Sequence, residues 1–590
     1  MKYLLFLVFV LVHLDVNSDY VVTTTSGIAD GYKKNGAIYW DDIPYAIPPI
    51  GNLRWKAPRE YTNPGSTIYP KENNFCIQKT SSLGGSSQYS DDNISGSEDC
   101  LYLDIVAPKL KNNNKKLPVM FWIHGGGNTS GLKDLYDFSK MAKKHEVIVI
   151  RINYRLGPFG WFSHPAIQQG QDGLDKSSNF GTLDIIAALK WTNQNISHFG
   201  GDPENVTIFG ESAGGHNVLS LLISPEAKDL FHKAISMSGY TTSIASDQAY
   251  KQDTDSSTSN NTSWSIVNNF LENSQENYSN EDLRKILYEL DAKDFFKPYA
   301  KRPTYEEIPL LTNDGIVVPE IGLSKALNDQ KYVANVPVIA GSNRDEVKLW
   351  LATAEYFVEL EYSFLGSLLN IPKVKLKDED AFEAFNYYRS AAWKIRGVDE
   401  PLQGMLNSGN RKLYAYRFDW DDHRRLLIAD FKSLIGAAHA TEIPLLAGNE
   451  KLVGGYPLSD LIYPSGRSKF FISKNMMQFW SNFAKNGNPE SSTNSVKWEL
   501  YKNNDQYAFM VLDNKKNLKM HNTVYSYRDL SLELFEDDRV NDLEKCVILL
   551  QMFTFVGNDI YDENIAKYPG KCDRAKAETF LKENASYIEY

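Results

Sequence analysis

Only four cysteines occur in the 590 residues, and none stand as C-x-x-C, so the chain offers no pattern for a zinc or thiol-redox centre. An excess of basic residues is also missing. The net charge is −11, which argues against nucleic acid or an anionic membrane surface as partner. No repeat period runs through the chain, which excludes a solenoid. Past the first few residues no apolar run is long enough for an integral membrane segment, and the final Tyr-Ile-Glu-Tyr is neither a retention signal nor a lipid-anchor tail.

The exceptional stretch is Met1 to Ser18. Lys2 supplies a positive start, Tyr3 to Val12 a short apolar centre, and Val16-Asn17-Ser18 small residues for cleavage, so a signal peptide is expected and a secreted or lumenal product with it. An even cysteine count suits that oxidising compartment. Of the three possible connectivities, the pairs nearest in sequence, Cys76–Cys100 and Cys546–Cys572, are expected. Asn93, Asn195, Asn205, Asn260, Asn261, Asn277 and Asn584 head sequons and are candidates for glycosylation; the sequon at Asn128, where a glycan would obstruct chemistry, is expected to be unused. With 42% hydrophobic residues the chain can bury a large core. One domain is expected over 19–535, with a polar surface insertion at about 241–280 and a C-terminal extension over 536–590.

The most informative stretch is Val206 to Ser224. Val206-Thr207-Ile208-Phe209 reads as a buried strand and Ala213 onward as a helix closed by Pro225, so Gly210-Glu211-Ser212-Ala213-Gly214 must turn sharply between them. Glycines on either side permit that turn and hold the Ser212 hydroxyl up at a helix N-terminus, where amides and the helix dipole favour developing negative charge. Upstream, the apolar strand Pro118 to Ile123 runs into His124-Gly125-Gly126-Gly127, whose bare backbone can approach an oxyanion. Another strand at Glu146 to Asn153 and a helix at Asn179 to Gln194 continue an alternation that predicts a large, mostly parallel central sheet flanked by helices. Helices are expected to dominate Glu355 to Gln403.

Glu98 to Leu103, His124 to Gly127, Asn153-Tyr154-Arg155, Phe199 to Pro203 and Gly210 to Gly215, in this order, resemble the type-B carboxylesterase and lipase family of the α/β-hydrolase fold, which includes the cholinesterases. The resemblance spans most of residues 20 to 530. It implies oxyanion-hole amides at Gly126, Gly127 and Ala213, a structural ion pair between Glu98 and Arg155, and supporting roles for Ser238 and Glu442.

The remaining triad members follow in the chain order of that fold. A carboxylate is needed on the loop after the strand Val336 to Ala340, where Asp345 and Glu346 both stand; the resemblance selects Glu346, although Val347 replaces the usual following glycine and keeps Asp345 as the alternative. Of ten histidines, His13 lies in the signal segment and His124 in the glycine loop, while His145, His232 and His423 sit among charges that suggest solvated faces. His164, His198 and His521 carry no motif, and His216, on the elbow helix, reads as structural. His439 remains. The expected chemistry is carboxylic ester hydrolysis through Ser212, His439 and Glu346 with an acyl-enzyme intermediate, needing no metal or organic cofactor and taking a small-molecule or lipid ester. Between Cys76 and Cys100 the only aromatic is Tyr89, with no tryptophan to hold a quaternary ammonium, so no choline preference is expected. The competing reading is a non-catalytic adhesion or storage protein on the same fold.

Overall fold

The computed structural model describes residues 20–81, 84–85, 93–109, 115–249, 263–271, 278–300, 311–361, 373–426, 429–448, 462–490, 496–502, 508–523, 526–554, 560–565 and 572–584. The proposed signal segment, Tyr89 and the sequons at Asn260, Asn261 and Asn277 lie outside them.

Among the described residues, eleven strands form one open sheet. In chain order they are β1 (Tyr32–Lys34), β2 (Ala37–Pro44), β3 (Tyr102–Pro108), β4 (Leu117–Ile123), β5 (Ile148–Ile152), β6 (Gly201–Glu211), β7 (Lys233–Met237), β8 (Val338–Asn343), β9 (Leu413–Phe418), β10 (Ala508–Leu512) and β11 (Lys519–Asn522). Their spatial order is β11-β10-β9-β8-β7-β6-β4-β5-β3-β2-β1. All pairings from β5 across to β10 are parallel, and antiparallel strands finish both sides. The rims are polar: every residue of β1 is exposed, and β11 exposes Lys519, His521 and Asn522.

Strand composition explains why the centre is covered on both sides. All of β4, Leu-Pro-Val-Met-Phe-Trp-Ile, is buried. Its side chains alternate with the two-residue period of a strand: Val119, Phe121 and Ile123 enter one core and Met120 and Trp122 the opposite one. Helices α1 (Phe180–Asn195) and α2 (Ala213–Ile223) supply the first core with Leu183, Ile186, Val218 and Leu222; late helix α5 (Arg467–Asn486) supplies the second with Met476, Phe479, Trp480 and Phe483. Each such side chain contributes roughly 1.5–3 kcal/mol by leaving water. Helices α3 (Glu379–Lys394), α6 (Tyr527–Glu536), α7 (Asp542–Phe553) and α8 (Arg574–Glu583) build a third cluster with Ala213, Tyr240 and Val347. A short helix, α4 (Glu400–Asn407), follows α3. Both expected disulfides are present, Cys76–Cys100 and Cys546–Cys572.

Several expectations are corrected. Glu98 does not pair with Arg155: Arg54 takes Glu98 at 2.6 Å, and Arg155 takes Asp184, on α1, at 2.7 Å. Asn195 is 1% exposed, and its amide bonds Thr25 and the Trp191 carbonyl, so the folded chain leaves no room there for a glycan. Asn93 is exposed, whereas Asn205 and Asn584 are half-buried. The segment 241–280 is not wholly surface, because the helix Ser263–Val267 drives Ile266 and Val267 into the first core. Within 355–403 a hairpin, Val358–Glu361 with Lys373–Leu376, precedes the helices. His423 is buried, not solvated, with its ring nitrogens 2.5 and 2.7 Å from the carbonyls of Ile462 and Gly436.

Candidate active site

Ser212 stands between β6 and α2 with φ 59° and ψ −123°, a conformation that side-chain-bearing residues rarely adopt. Its amide donates to the Met237 carbonyl of β7, and its carbonyl accepts from His216, so bonds on both sides over-determine the strain. The turn also requires bare neighbours. A Cβ on Gly214 would come within 2.1 Å of the Ile123 carbonyl at the end of β4. That close approach brings the elbow against the glycine loop, where a Cβ on Gly125 would lie 3.0 Å from Cβ of Ser212.

Gly126 and Gly127 have φ of 94° and 62°. Among the described residues, no protein acceptor takes the N–H of Gly126, Gly127 or Ala213. The loop is pinned from outside: Tyr154 Oη donates to the His124 carbonyl at 2.6 Å and its ring stacks on His124. Asn128 is buried, and its side-chain oxygen accepts from Asn217 of α2 at 2.9 Å. It therefore faces the elbow helix, in keeping with an unused sequon.

The loop after β8 carries both candidate acids. Glu346, fully buried, accepts from the Asn343 amide through Oε1 and lies 2.6 Å from His439 Nδ1 through Oε2. Asp345 points elsewhere, to Arg344, to Asn386 at 2.8 Å and to the Ala437 amide at 2.9 Å, tying the acid loop to the histidine loop. Val347 adopts φ −88°, so no positive φ is demanded where the family's glycine is replaced. Glu442 accepts from Asn343 Nδ2 at 2.6 Å, and Ser238 donates its amide to Gly341. His216 is structural, 2.8 Å from the Thr242 carbonyl.

The other ring nitrogen of His439, Nε2, lies 3.1 Å from Oε1 of Glu211, the residue immediately before Ser212. Glu211 is an addition to the expected set. Its signal was a carboxylate inside the elbow pentapeptide at the end of a buried strand. Burial pushes the Glu211 carboxyl up to about 8, with His439 opposing and Glu442 and Glu346 reinforcing. Burial alone would lower the His439 imidazole, but attraction from Glu211 and Glu346, the bond to Glu346 and attraction from Glu442 together raise it to about 9. Glu442 is pushed to about 7 by burial, against the bond from Asn343. Glu211 and His439 thus compete for one proton. When Glu211 holds it, the attraction favouring imidazolium disappears and the imidazole is left neutral beside Glu346.

Two indoles also pack on the imidazole, Trp393 at 4.7 Å and Trp350 at 5.1 Å between ring centroids. Ser212 and Trp350 remain partly exposed, while His439 is 6% exposed. A partly exposed alcohol, a buried imidazole fixed by a carboxylate and three unused amides are the parts that acyl transfer requires.

A family model described as "Carboxylesterase family" matches residues 18–367 and 396–528. The para-nitrobenzyl esterase of Bacillus subtilis (strain 168) is 32% identical over 521 residues, covering 84% of this chain and 95% of that protein. Carboxylesterase 1E of Rattus norvegicus is 32% identical over 518 residues, covering 81% and 86%. Among solved structures, a thermophilic PNB esterase aligns with a TM-score of 0.64 at 29% identity, covering 86% of this chain and 99% of its own.

Proposed function

The chain belongs to the carboxylesterase family and is a carboxylic ester hydrolase; from that premise we propose that Ser212, His439 and Glu346 form its catalytic triad. The reading is supported above all by the 2.6 Å contact of Glu346 with His439 Nδ1, which leaves Nε2 directed at the elbow. The esterase relatives do not favour the non-catalytic alternative.

In this mechanism Nδ1–H donates to Glu346, fixing the tautomer in which Nε2 is the base. Nε2 leaves the neighbourhood of Glu211 and takes the Ser212 proton as Oγ attacks the ester carbonyl. The oxyanion enters the cradle of Gly126, Gly127 and Ala213 amides, where one donor is typically worth about 3 kcal/mol of transition-state stabilisation. His439 then returns the proton to the leaving alcohol. Water, activated by the same imidazole, releases the acid and restores Ser212. The substrate is a small-molecule or lipid ester without choline preference, and the chain acts in a secreted or lumenal setting, which the two disulfides suit. Residues 19–535 form the hydrolase domain and 536–590 a C-terminal extension with the Cys546–Cys572 pair.

A fluorophosphonate probe tests the assignment. Labelling of the wild type, lost in Ser212→Ala together with para-nitrophenyl ester hydrolysis, is the expected result. A Ser212→Ala protein that still turns over ester would refute it.

A further inference from the structure

Helix α3 and the helices past residue 528 have two things in common. Apart from the first two residues of α6, they fall between or beyond the segments that the family model matches, 18–367 and 396–528. They also pack on one another: Phe385 and Tyr388 of α3 share a core with Leu530 and Leu534 of α6 and Val547 and Leu550 of α7. Tyr388 Oη donates to Asp537 at 2.8 Å, and Tyr356, in the loop before the hairpin, donates to Glu544 of α7 at 2.7 Å. The Cys546–Cys572 bridge ties α7 to the approach to α8.

This unit reaches the His439 ring through Trp393. Trp393, near the end of α3 and 3% exposed, lays its indole against the His439 ring at an interplanar angle of 42°. Its Nε1 donates to the Ser238 carbonyl at 3.2 Å, which fixes the indole itself. Trp350, one turn after Glu346, lies nearly parallel to Trp393 at 6.0 Å and meets the same imidazole.

We propose that Trp393 is a positioning residue for His439, held in place by the helical unit that α3 forms with the C-terminal helices. The bond to Glu346 fixes one ring nitrogen but leaves the imidazole free to pivot about it. Nε2 has Glu211 on one side and must serve Ser212 and then the leaving group. An indole packed against the ring at this tilt restricts that pivot. The inference rests on the reading of His439 as the base.

The test is steady-state hydrolysis of para-nitrophenyl acetate by full-length wild type, His439→Ala, Trp393→Leu, Trp393→Phe and Tyr388→Phe, with thermal unfolding as the folding check. Trp393→Leu should lower kcat about tenfold or more with KM nearly unchanged, and Trp393→Phe, which retains an aromatic face, should recover most of the loss. Tyr388→Phe, which cuts one tie between α3 and the C-terminal unit, should lower kcat less, again at constant KM. If His439→Ala keeps its activity, the triad reading fails. If His439→Ala is inactive while folded Trp393→Leu keeps wild-type kcat, only the positioning role falls. Should Trp393→Leu not fold, Tyr388→Phe decides: reduced kcat at constant KM upholds the proposal, and unchanged kcat overturns it.

Discussion

Replacing Glu211 with glutamine should move the pH dependence of the enzyme without changing the triad. The wild-type carboxylate lies 3.1 Å from His439 Nε2. At that separation two full charges interact by about 5 kcal/mol at an effective dielectric constant of about 20, equivalent to roughly four pH units at 1.36 kcal/mol each. Only part of this is realised, because Glu211 is itself pushed up to about 8 and competes for the proton that charges His439. A fall of about one to three units in the imidazole's pKa is therefore expected. In the proposed mechanism the neutral imidazole is the base, so kcat/KM rises as pH passes upward through that pKa. Lowering it carries the rise to lower pH. The assay is kcat/KM for para-nitrophenyl acetate from mildly acid pH to beyond the wild-type imidazole's value of about 9, wild type against Glu211→Gln. Superimposable rising limbs, or a limb displaced to higher pH, would refute the claim that Glu211 holds a proton on His439. Stability should respond as well. A folded-state pKa raised from 6.5 to about 9 stabilises the fold fully below the ordinary histidine value and loses that contribution as pH rises through 9. Glu211→Gln should flatten this alkaline loss in unfolding experiments.

Gly126→Ala should lower kcat by roughly 10²–10³, because the added Cβ would meet the Ser130 carbonyl at 2.2 Å in a left-handed backbone and shift an oxyanion donor; steady-state kinetics on folded protein checks it. Asp345→Asn should cost about 3 kcal/mol in denaturant unfolding, since it strips the charge that faces Arg344 and Lys348 and joins the acid loop to the Ala437 amide. Acetylthiocholine should be hydrolysed more slowly than a neutral short-chain nitrophenyl ester, and a clear preference for the choline ester would contradict the substrate reading.

The proposed nucleophile and base were legible because their signals are written locally: a strand, a glycine-flanked serine and a helix for Ser212, and a motif-bearing loop for His439. Much of the sheet's centre was also readable, since β4, β5, the second half of β6 and β8 are apolar runs that a doubly covered sheet hides, whereas β7 carries no such signal and was not read. Partnerships between distant residues were not. Glu98, Arg54, Arg155 and Asp184 are two acids and two bases whose pairing depends on how α1 docks, which no local pattern encodes. The choice between Asp345 and Glu346 was a matter of which way adjacent side chains leave a short turn. His423 looked solvated because its neighbours in sequence are charged, whereas its neighbours in space are carbonyls. Trp393 and Glu211 escaped notice for complementary reasons, one lying far from any motif and the other hidden inside the best-known one.

A sheet of this width that never closes leaves two rows of unsatisfied backbone donors and acceptors, and each is an invitation for a second molecule to add a strand. Here the rims are Tyr-Lys-Lys on one side and Lys-Met-His-Asn on the other. A molecule stitching itself onto either rim would have to strip water from ammonium groups to reach the amides beneath. The lysines at 33, 34 and 519 thus protect a crowded solution of this enzyme from edge-to-edge aggregation, and replacing them with valine would turn its widest architectural element into a polymerisation template.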